Sequence, residues 1–507
     1  MLTSLRLNTA ANIAGHVWTA VLGLVFVPVY LHLLGVEAYG LIGLFMVVQS
    51  AISLLDPGAV AAINRELAQA DETGRPAAQV RCLVRTLEWV YLPIAVAIAA
   101  LSWWLAEPVA RIWLTPERLT ADEVAQALFL MGLATAAQWP TFLYWAALTG
   151  RQQLPLLNGL NAVFATLKTV GVVPVLWIAG ASIENFLWWH VLVAAVQSTV
   201  FCIVVWRVLP RSDAPARFSR AELRRLSGFA SGVSLATLLS FVLGNADRVV
   251  LAKLLTLDDF GYYAIATTLA HAVYRISSPI AGAAFPRLAQ FAAGADPSGQ
   301  RRLYGNVSQV LIVVVASVVA LLTTFAEPTL LAWTGNAALA QAAAPILALL
   351  AIAHGLAGAT TLPYHLQLAH GRVRTWLLLI AAVTAAYLPL LVVLARWRGA
   401  EGGATAALVA NAVLFMAASS LIHGRLLRTD VGGWWWRDFV LPVTAAAGAA
   451  LALRTLSPPL PAGATGLAAL AGIGIVTLVA AVAFVPHPRA LLLAALATLR
   501  RRLVRRQ

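Results

Sequence analysis

Charged side chains inside long apolar runs are the residues of this chain that could do chemistry. They are costly at membrane depth, so they normally face a protein interior or a water-filled cavity. A cation there can hold an anionic group, and a carboxylate can bind a cation or carry a proton. Six positions qualify, and the one nearest the membrane surface, Glu88, is expected to be solvated: Asp56, Glu88, Lys168, Asp247, Arg248 and Arg275.

Two of these charges lie beside helix-breaking residues. Asp56 opens the sequence Asp56-Pro57-Gly58 about two-thirds of the way through its run, and Arg275 lies within a turn of Pro279. Proline removes a backbone donor and glycine loosens a helix, so both runs are predicted to bend. We predict hinges at these prolines and the glycine, with Asp56 and Arg275 facing each other or a substrate. An internal cap and its structural counterion are the alternative.

The remaining candidates differ in what surrounds them. Lys168 lies mid-run with no counterion nearby in sequence, which favours a role in holding an anionic group. Arg248 is a further candidate for substrate binding, although pairing with Asp247 or snorkelling to the interface would also explain it. Asp247 and Asp56 are candidates for cation or proton coupling. His271, one turn before Arg275, is a candidate proton carrier.

Several motifs of enzyme chemistry are missing from the sequence. There is no GxxxxGK[ST], HExxH or GxSxG, and the two cysteines, Cys82 and Cys202, are far apart. We therefore predict no metal site, no cofactor and no enzymatic activity. Transport driven by an ion gradient, by membrane potential or by substrate supply fits better than an ATP-driven pump.

The elements that must position these residues are membrane helices. Of 507 residues, 61% are hydrophobic and 11% charged, against about 25% charged in ordinary soluble chains. A bilayer core needs roughly 20 apolar residues per helix. We predict an all-α integral membrane protein with about fourteen transmembrane helices, at 10–34, 38–63, 84–106, 124–148, 156–180, 184–208, 228–252, 259–285, 306–328, 339–364, 374–396, 403–427, 438–456 and 464–485.

The basic residues fix the orientation of this arrangement. With both termini in the cytoplasm, 26 of the 35 Lys and Arg residues fall on inner segments and six on outer loops, as the positive-inside rule requires. Topology thus explains the net charge of +14 without nucleic acid as a partner. The loops are too short for a soluble catalytic domain.

An internal repeat organises the chain. Residues 33–69 return as 254–290 at an offset of 221, and the same offset joins Gly150 with Gly371 and Arg207 with Arg428. This register predicts two six-helix lobes related by a parallel pseudo-two-fold, with two extra C-terminal helices. The predicted divisions are an N-lobe at 1–209, a cytoplasmic linker at 210–227, a C-lobe at 228–428, the extra helices at 429–485 and a basic cytoplasmic tail at 486–507.

Short motifs carry a resemblance to a known family. These motifs are PVYL at 28–31, LGVEAYG at 34–40, LLDPG at 54–58, GNADRVVL at 244–251 and FGYY at 260–263. In them the chain resembles bacterial polysaccharide-export flippases of the multidrug/oligosaccharidyl-lipid/polysaccharide superfamily, such as the O-antigen and exopolysaccharide flippases. The resemblance implies a V-shaped pair of lobes that alternate between inward-open and outward-open states.

What the resemblance implies about cargo is an oligosaccharide repeat unit on undecaprenyl pyrophosphate, moved across the bacterial inner membrane for lipopolysaccharide or exopolysaccharide biosynthesis. Lipid-linked oligosaccharide and membrane lipid are then the partners, and a polysaccharide polymerase and a chain-length regulator are further ones that it suggests. A cation-coupled multidrug antiporter of the same superfamily is the alternative, and a membrane-embedded polysaccharide polymerase is a third.

Overall fold

The computed structural model describes residues 15, 18–55, 63–64, 66–67, 76–224, 234–294, 296–490 and 492–494. Helices dominate these residues, which contain no strand and a single isolated β-bridge, between Thr115 and Thr256. Nine helical stretches within the same ranges are long and apolar enough to cross a membrane. The chain is therefore an all-α integral membrane protein, as predicted, while the count of fourteen crossings stays a prediction.

Within the described residues, helical residues 18–25 come before the first helix whose limits are defined, and fifteen α-helices follow. Two π-helical stretches lie among them, Ile422–Leu427 and Trp435–Val440. In chain order the helices are α1 Val27–Leu55, α2 Ala77–Ile112, α3 Ala121–Gly150, α4 Leu154–Thr169, α5 Val172–Ile178, α6 Ile183–Val208, α7 Ser234–Leu254, α8 Leu257–Ala293, α9 Pro297–Thr324, α10 Ala326–Thr334, α11 Ala337–Ala369, α12 Val373–Leu421, α13 Val431–Trp434, α14 Leu441–Leu456 and α15 Ala464–Ala483.

Two helices are interrupted at glycines in the positions where the sequence predicted outer loops. Helix α1 is interrupted at Gly35, whose φ of 84° is a left-handed value that other residues rarely adopt. Helix α12 is interrupted in the same way at Gly399, with φ 58°. These positions separate predicted spans 1 and 2 and predicted spans 11 and 12. Each outer connection is thus reduced to a sharp glycine turn between two apolar helices.

The chain folds as two compact units, Met1–Gly261 and Tyr262–Gln507. The lobes predicted from the repeat, with their linker at 210–227, stay a prediction. The core of the first unit is built by α2, α3, α4 and α6. Its largest buried ring, Trp139, stacks on Tyr91 with centroids 5.2 Å apart, and Leu83, Leu143 and Phe201 pack in the same cluster.

The core of the second unit is built by α8, α9 and α11. Val273, Leu288, Tyr304 and Leu362 lie in one buried cluster of these helices. The extra C-terminal helices α14 and α15 pack on α9 through small side chains in a separate cluster. Small residues allow helix backbones to approach closely in a membrane, where lipid gives no hydrophobic drive to associate.

Candidate functional site

Lys168 lies in the last turn of α4, inside the predicted fifth span. Its ammonium group donates a hydrogen bond to the side-chain oxygen of Gln138 on α3, with 2.9 Å between Nζ and Oε1. The side chain is half-buried. The sequence suggested no local counterion, and the partner in the structure is a neutral amide, so the positive charge is not neutralised by this contact.

The helix carrying Lys168 is interrupted just beyond it, inside the span predicted at 156–180, which corresponds to the apolar helical stretch Leu154–Ile178. Pro174 lacks an N–H and its ring opposes the carbonyl four residues earlier, so α4 ends at Thr169 and α5 starts at Val172. Carbonyls near the break are used by side chains of neighbouring segments. Tyr30 donates its hydroxyl to the Thr169 oxygen at 2.7 Å, and the Trp189 indole donates to the Leu167 oxygen at 2.8 Å.

Lys168 lines a cavity of about 290 Å³ in the first unit. A second cavity of about 250 Å³ lies beside it and shares two of its lining residues, Asn161 and Gln197. The first is lined by Gly15, Thr19, Asn158, Asn161, Ala165, Lys168 and Gln197, and the second by Gln138, Thr141, Phe142, Trp145, Asn161 and Gln197. Among these described residues the lining carries one cation, several amides and no carboxylate.

Gln197 shows that this polar surface is not fully paired within the protein. Its side chain is 7% exposed, and its oxygen Oε1 accepts no hydrogen bond from the described residues. A buried polar atom left without a partner costs roughly 1–3 kcal/mol. The cavities therefore offer hydrogen-bonding capacity that a polar ligand or water can use, next to an ammonium group.

The amides of this site were not found by the search for charged residues. Asn158, Asn161, Ala165 and Lys168 recur at intervals of three and four residues, which places them on one face of α4. Such a polar stripe within an apolar run was the available signal in the sequence. Gln138 and Gln197 lie on other helices, and single amides in apolar runs gave no comparable pattern.

Candidate residues of the second unit lie on α8. Arg275 is exposed, and His271 is one turn earlier on the same helix. The His271 ring stacks on the ring of His354 from α11, with centroids 5.1 Å apart and planes 12° from parallel. Helix α8 runs on through Pro279 to Ala293. The predicted hinge at Pro279 is not tested by this single conformation and stays a prediction.

The other predicted site residues lie in the first unit or outside the described chain. Asp247 and Arg248 are on α7, where the Asp247 side chain is buried at 8% exposure and Arg248 is half-buried. Asp56, Pro57 and Gly58 lie outside the described residues. Within the described ranges, no group of three or more His, Cys, Asp and Glu residues could hold a metal ion.

The expectation that Glu88 is solvated is wrong. Its carboxylate is 4% exposed and accepts hydrogen bonds from the Tyr144 hydroxyl at 3.1 Å, the Trp206 indole at 2.7 Å and the Arg85 guanidinium at 2.7 Å. These donors come from α3, α6 and α2. Glu88 thus ties three helices of the first unit together, and proximity to the membrane surface did not keep it in water because the neighbouring rings cover it.

Comparisons with known proteins give a family match and several structural likenesses. A family model described as "Polysaccharide biosynthesis protein" matches residues 5–292. No curated protein sequence matches the chain closely enough to count as a relative.

Among solved structures, the chain is similar to "Lipid II flippase MurJ, inward closed conformation", with a TM-score of 0.71 and 10% identity over 94% of this chain and 97% of that one. It is also similar to an inward-facing multidrug resistance MATE family transporter of the MOP superfamily, with a TM-score of 0.63 and 15% identity over 81% and 92%. The Vibrio cholerae MATE transporter VcmN in the bent form gives 0.53 and 16% over 84% and 98%. At these identities the likeness shows the fold.

Proposed function

The chain belongs to the polysaccharide biosynthesis protein family and has the fold of MOP-superfamily transporters, and from this we propose that it is a flippase for lipid-linked saccharide. The cargo is an oligosaccharide on undecaprenyl pyrophosphate, which crosses the membrane by alternating access. Its head group moves through the protein while the prenyl tail stays in lipid. This route avoids the large cost of taking sugar hydroxyls and phosphates through hydrocarbon unpaired.

The observation that carries the proposal is the chemistry of the paired cavities. Lys168 supplies one positive charge, and the described lining contains amides and two threonine hydroxyls without a carboxylate. An ammonium group is a good point-charge ligand for phosphate. Amides donate and accept at once, as sugar hydroxyls require. A cavity for a cationic drug would instead need an acidic group in its lining.

The two cavities divide the roles between them. Lys168 holds a phosphate oxygen, and its bond to Gln138 at 2.9 Å keeps the ammonium group aimed at the cavity. Trp145 is 39% exposed and lines the second cavity, where its indole face can stack on a sugar ring. Asn161 and Gln197 line both cavities and bridge the phosphate and sugar positions.

Further roles follow from the other charges. Arg275 and Arg248 assist in binding the anionic head group. Asp56, Asp247 and His271 are the candidates for coupling to a cation or proton, and the hinges are the first bend at Pro57 and Gly58 and the second at Pro279. These assignments rest on charge and position in the sequence.

The proposal also extends to the cell. The protein works in the bacterial inner membrane with both termini in the cytoplasm, and its lobes at 1–209 and 228–428 rock about the linker at 210–227. A polysaccharide polymerase and a chain-length regulator act on the flipped unit.

The test is a deletion strain in which the lipid-linked intermediate is assigned to the inner or outer leaflet and surface polysaccharide is measured. Wild type should restore export, whereas Lys168→Met, which keeps the length of the side chain and removes its charge, should lower export by about 10- to 100-fold, the value of one charge-assisted hydrogen bond. Lys168→Arg keeps the positive charge and should retain most of the export activity.

Arg396→Met is the matched control, because it removes one positive charge from an exposed position outside the cavities. All variants are compared at equal protein level in the membrane. If Lys168→Met exports like the control, Lys168 has no part in transport. If the deletion leaves polysaccharide normal and changes drug sensitivity, the protein is a multidrug antiporter, as the MATE-type structures with the same fold are described.

A further inference from the structure

The two copies of the internal repeat meet at their first glycines. Gly40 of α1 and Gly261 of α8 are separated by 221 residues and lie against each other: a Cβ added at Gly40 would be 2.7 Å from the oxygen of Leu257, and one added at Gly261 would be 2.5 Å from the oxygen of Val36. Val36 and Leu257 are themselves separated by 221 residues. The contact is therefore reciprocal, with a local two-fold between the helices, and it requires glycine on both sides.

A short segment, residues 113–119, covers this crossing, and we call it the outer strap. Its position is set by Glu37, whose carboxylate is 4% exposed. The two carboxylate oxygens accept hydrogen bonds from the backbone N–H groups of Glu117, Arg118 and Leu119 at distances from 2.7 to 3.2 Å. Because the donors are backbone groups, these hydrogen bonds fix the backbone conformation of the strap, whatever its side chains are.

The other edge of the strap contacts the second copy. Thr115 forms a parallel bridge with Thr256, its oxygen accepts from the Leu257 N–H at 3.1 Å, and its hydroxyl donates to the Leu255 oxygen at 2.7 Å. The guanidinium of Arg118 pairs with Asp258 at 3.5 Å. Asp258 is the repeat equivalent of Glu37. One strap thus joins the same acidic position in both copies.

We propose that Glu37 and the outer strap form the outer gate of the transporter, with Glu37 as its positioning residue. Three segments that the topology predicts on the outer face, 35–37, 107–123 and 253–258, meet here. The contacts to the second copy are a few polar bonds over a glycine crossing, so they can break and reform without unfolding the helices. Opening outward separates the strap from residues 255–258. This inference rests on the proposed transport by alternating access.

Thiol labelling from outside the cell tests the gate without reference to any cargo. Leu257 is 1% exposed beneath the strap, and both native cysteines, Cys82 and Cys202, are free. In a background where these two cysteines are replaced by serine, the Leu257→Cys variant is treated with a membrane-impermeant maleimide. Adding Glu37→Ala should speed labelling about tenfold, as expected when at least one charge-assisted hydrogen bond is lost, while the control Glu107→Ala should not.

Glu107 is a fair control because it is also an outer glutamate, but its side chain is 69% exposed and pairs with the Arg111 side chain and not with backbone groups of the strap. Glu37→Gln keeps an acceptor for the backbone donors and should give an intermediate rate. Equal labelling rates in the Glu37→Ala and Glu107→Ala backgrounds would overturn the proposal. Because this readout needs no saccharide, such a result would leave the proposed cargo untouched.

Cross-linking tests whether opening is needed for transport. Thr115→Cys with Thr256→Cys places two thiols across the bridge. A short bis-thiosulfonate reagent, which joins two thiols through disulfide bonds, should arrest export until the cross-link is cleaved by reduction. Arg111→Cys with Asp122→Cys links residues that pair within the outer loop, 3.0 Å apart at their charged atoms, and should leave export intact. Full export by the cross-linked Thr115 and Thr256 pair would show that the strap never opens and would end the proposal.

Discussion

Replacing Glu88 by alanine is expected to destabilise the first unit by about 4 kcal/mol. The carboxylate is buried and is the shared acceptor for Tyr144 on α3, Trp206 on α6 and Arg85 on its own helix. Alanine removes the acceptor and leaves the buried phenol of Tyr144 and the half-buried indole of Trp206 without a partner. The helices cannot move apart to admit water freely, because large apolar side chains pack around the same position.

The magnitude follows from the two donors that lose their partner. A donor left without an acceptor in a buried or half-buried site costs roughly 1–3 kcal/mol, so the two cost about 2–6 kcal/mol. The guanidinium of Arg85 adds little, since its side chain is 44% exposed and water can replace the carboxylate. For a unit of 261 residues a loss of about 4 kcal/mol corresponds to a fall of roughly 8 °C or more in melting temperature.

The assay is thermal unfolding of the purified full-length protein in detergent, followed by tryptophan fluorescence. Glu88→Gln keeps one acceptor oxygen and should lose about half as much stability. Glu107→Ala lies on the same helix and removes an exposed pair with Arg111, which is worth at most about 1 kcal/mol. If Glu88→Ala melts within about 2 °C of Glu107→Ala, the three hydrogen bonds do not hold the helices together and the reasoning is refuted.

Two further predictions concern groups outside the membrane spans. Thr120 and Glu123 form a reciprocal cap at the start of α3, and these hydrogen bonds lower the pKa of the Glu123 carboxyl. The carboxylate therefore stabilises the folded state above the usual pKa of 4.5, and this stabilisation is lost as the pH falls through the lowered pKa. Glu123→Gln should melt at a different temperature from wild type at pH 7 and at the same temperature well below pH 4.5. Burial and then the charge of Arg372 lower the pKa of His370, whose ring is hydrogen-bonded to Gln300 at 3.0 Å. Because the folded state resists protonation of this ring, wild type should lose stability relative to His370→Gln as the pH falls through 6.5. Equal losses of stability in both proteins would contradict this prediction.

The helices could be predicted from the sequence because length and apolarity determine them. The sharp turns at Gly35 and Gly399 lie between runs that hydropathy separates, and the turn residue is visible in the sequence. The span predicted at 156–180 matches the apolar helical stretch Leu154–Ile178, but the interruption between α4 and α5 inside it was not predicted, although Pro174 is equally visible. A hydropathy average over 156–180 stays high through a single proline, so only the loss of one backbone donor, which composition does not measure, reveals it.

The site was predictable in part, because charge at membrane depth is conspicuous and neutral polar groups are not. Lys168 was found as a candidate, but its partner Gln138 and the buried amide of Gln197 come from other helices. The packing of helices distant in the chain decides such contacts. The same holds for Glu88, whose burial is imposed by Tyr144 and Trp206 and could not follow from its own place in the sequence.

The repeat explains why the outer gate should open on one side. Glu37 and Asp258 occupy equivalent positions, but the longer glutamate reaches three backbone N–H groups and is buried. The shorter aspartate meets the strap through Arg118 at 3.5 Å, and that side chain is 78% exposed. An ion pair whose arginine is exposed to solvent is worth at most about 1 kcal/mol, whereas a buried carboxylate with several backbone donors is worth several times more. This pair and the Thr115 bonds to residues 255–257 form the side of the strap that the proposed gate opens, while the Glu37 carboxylate holds the strap on the first copy.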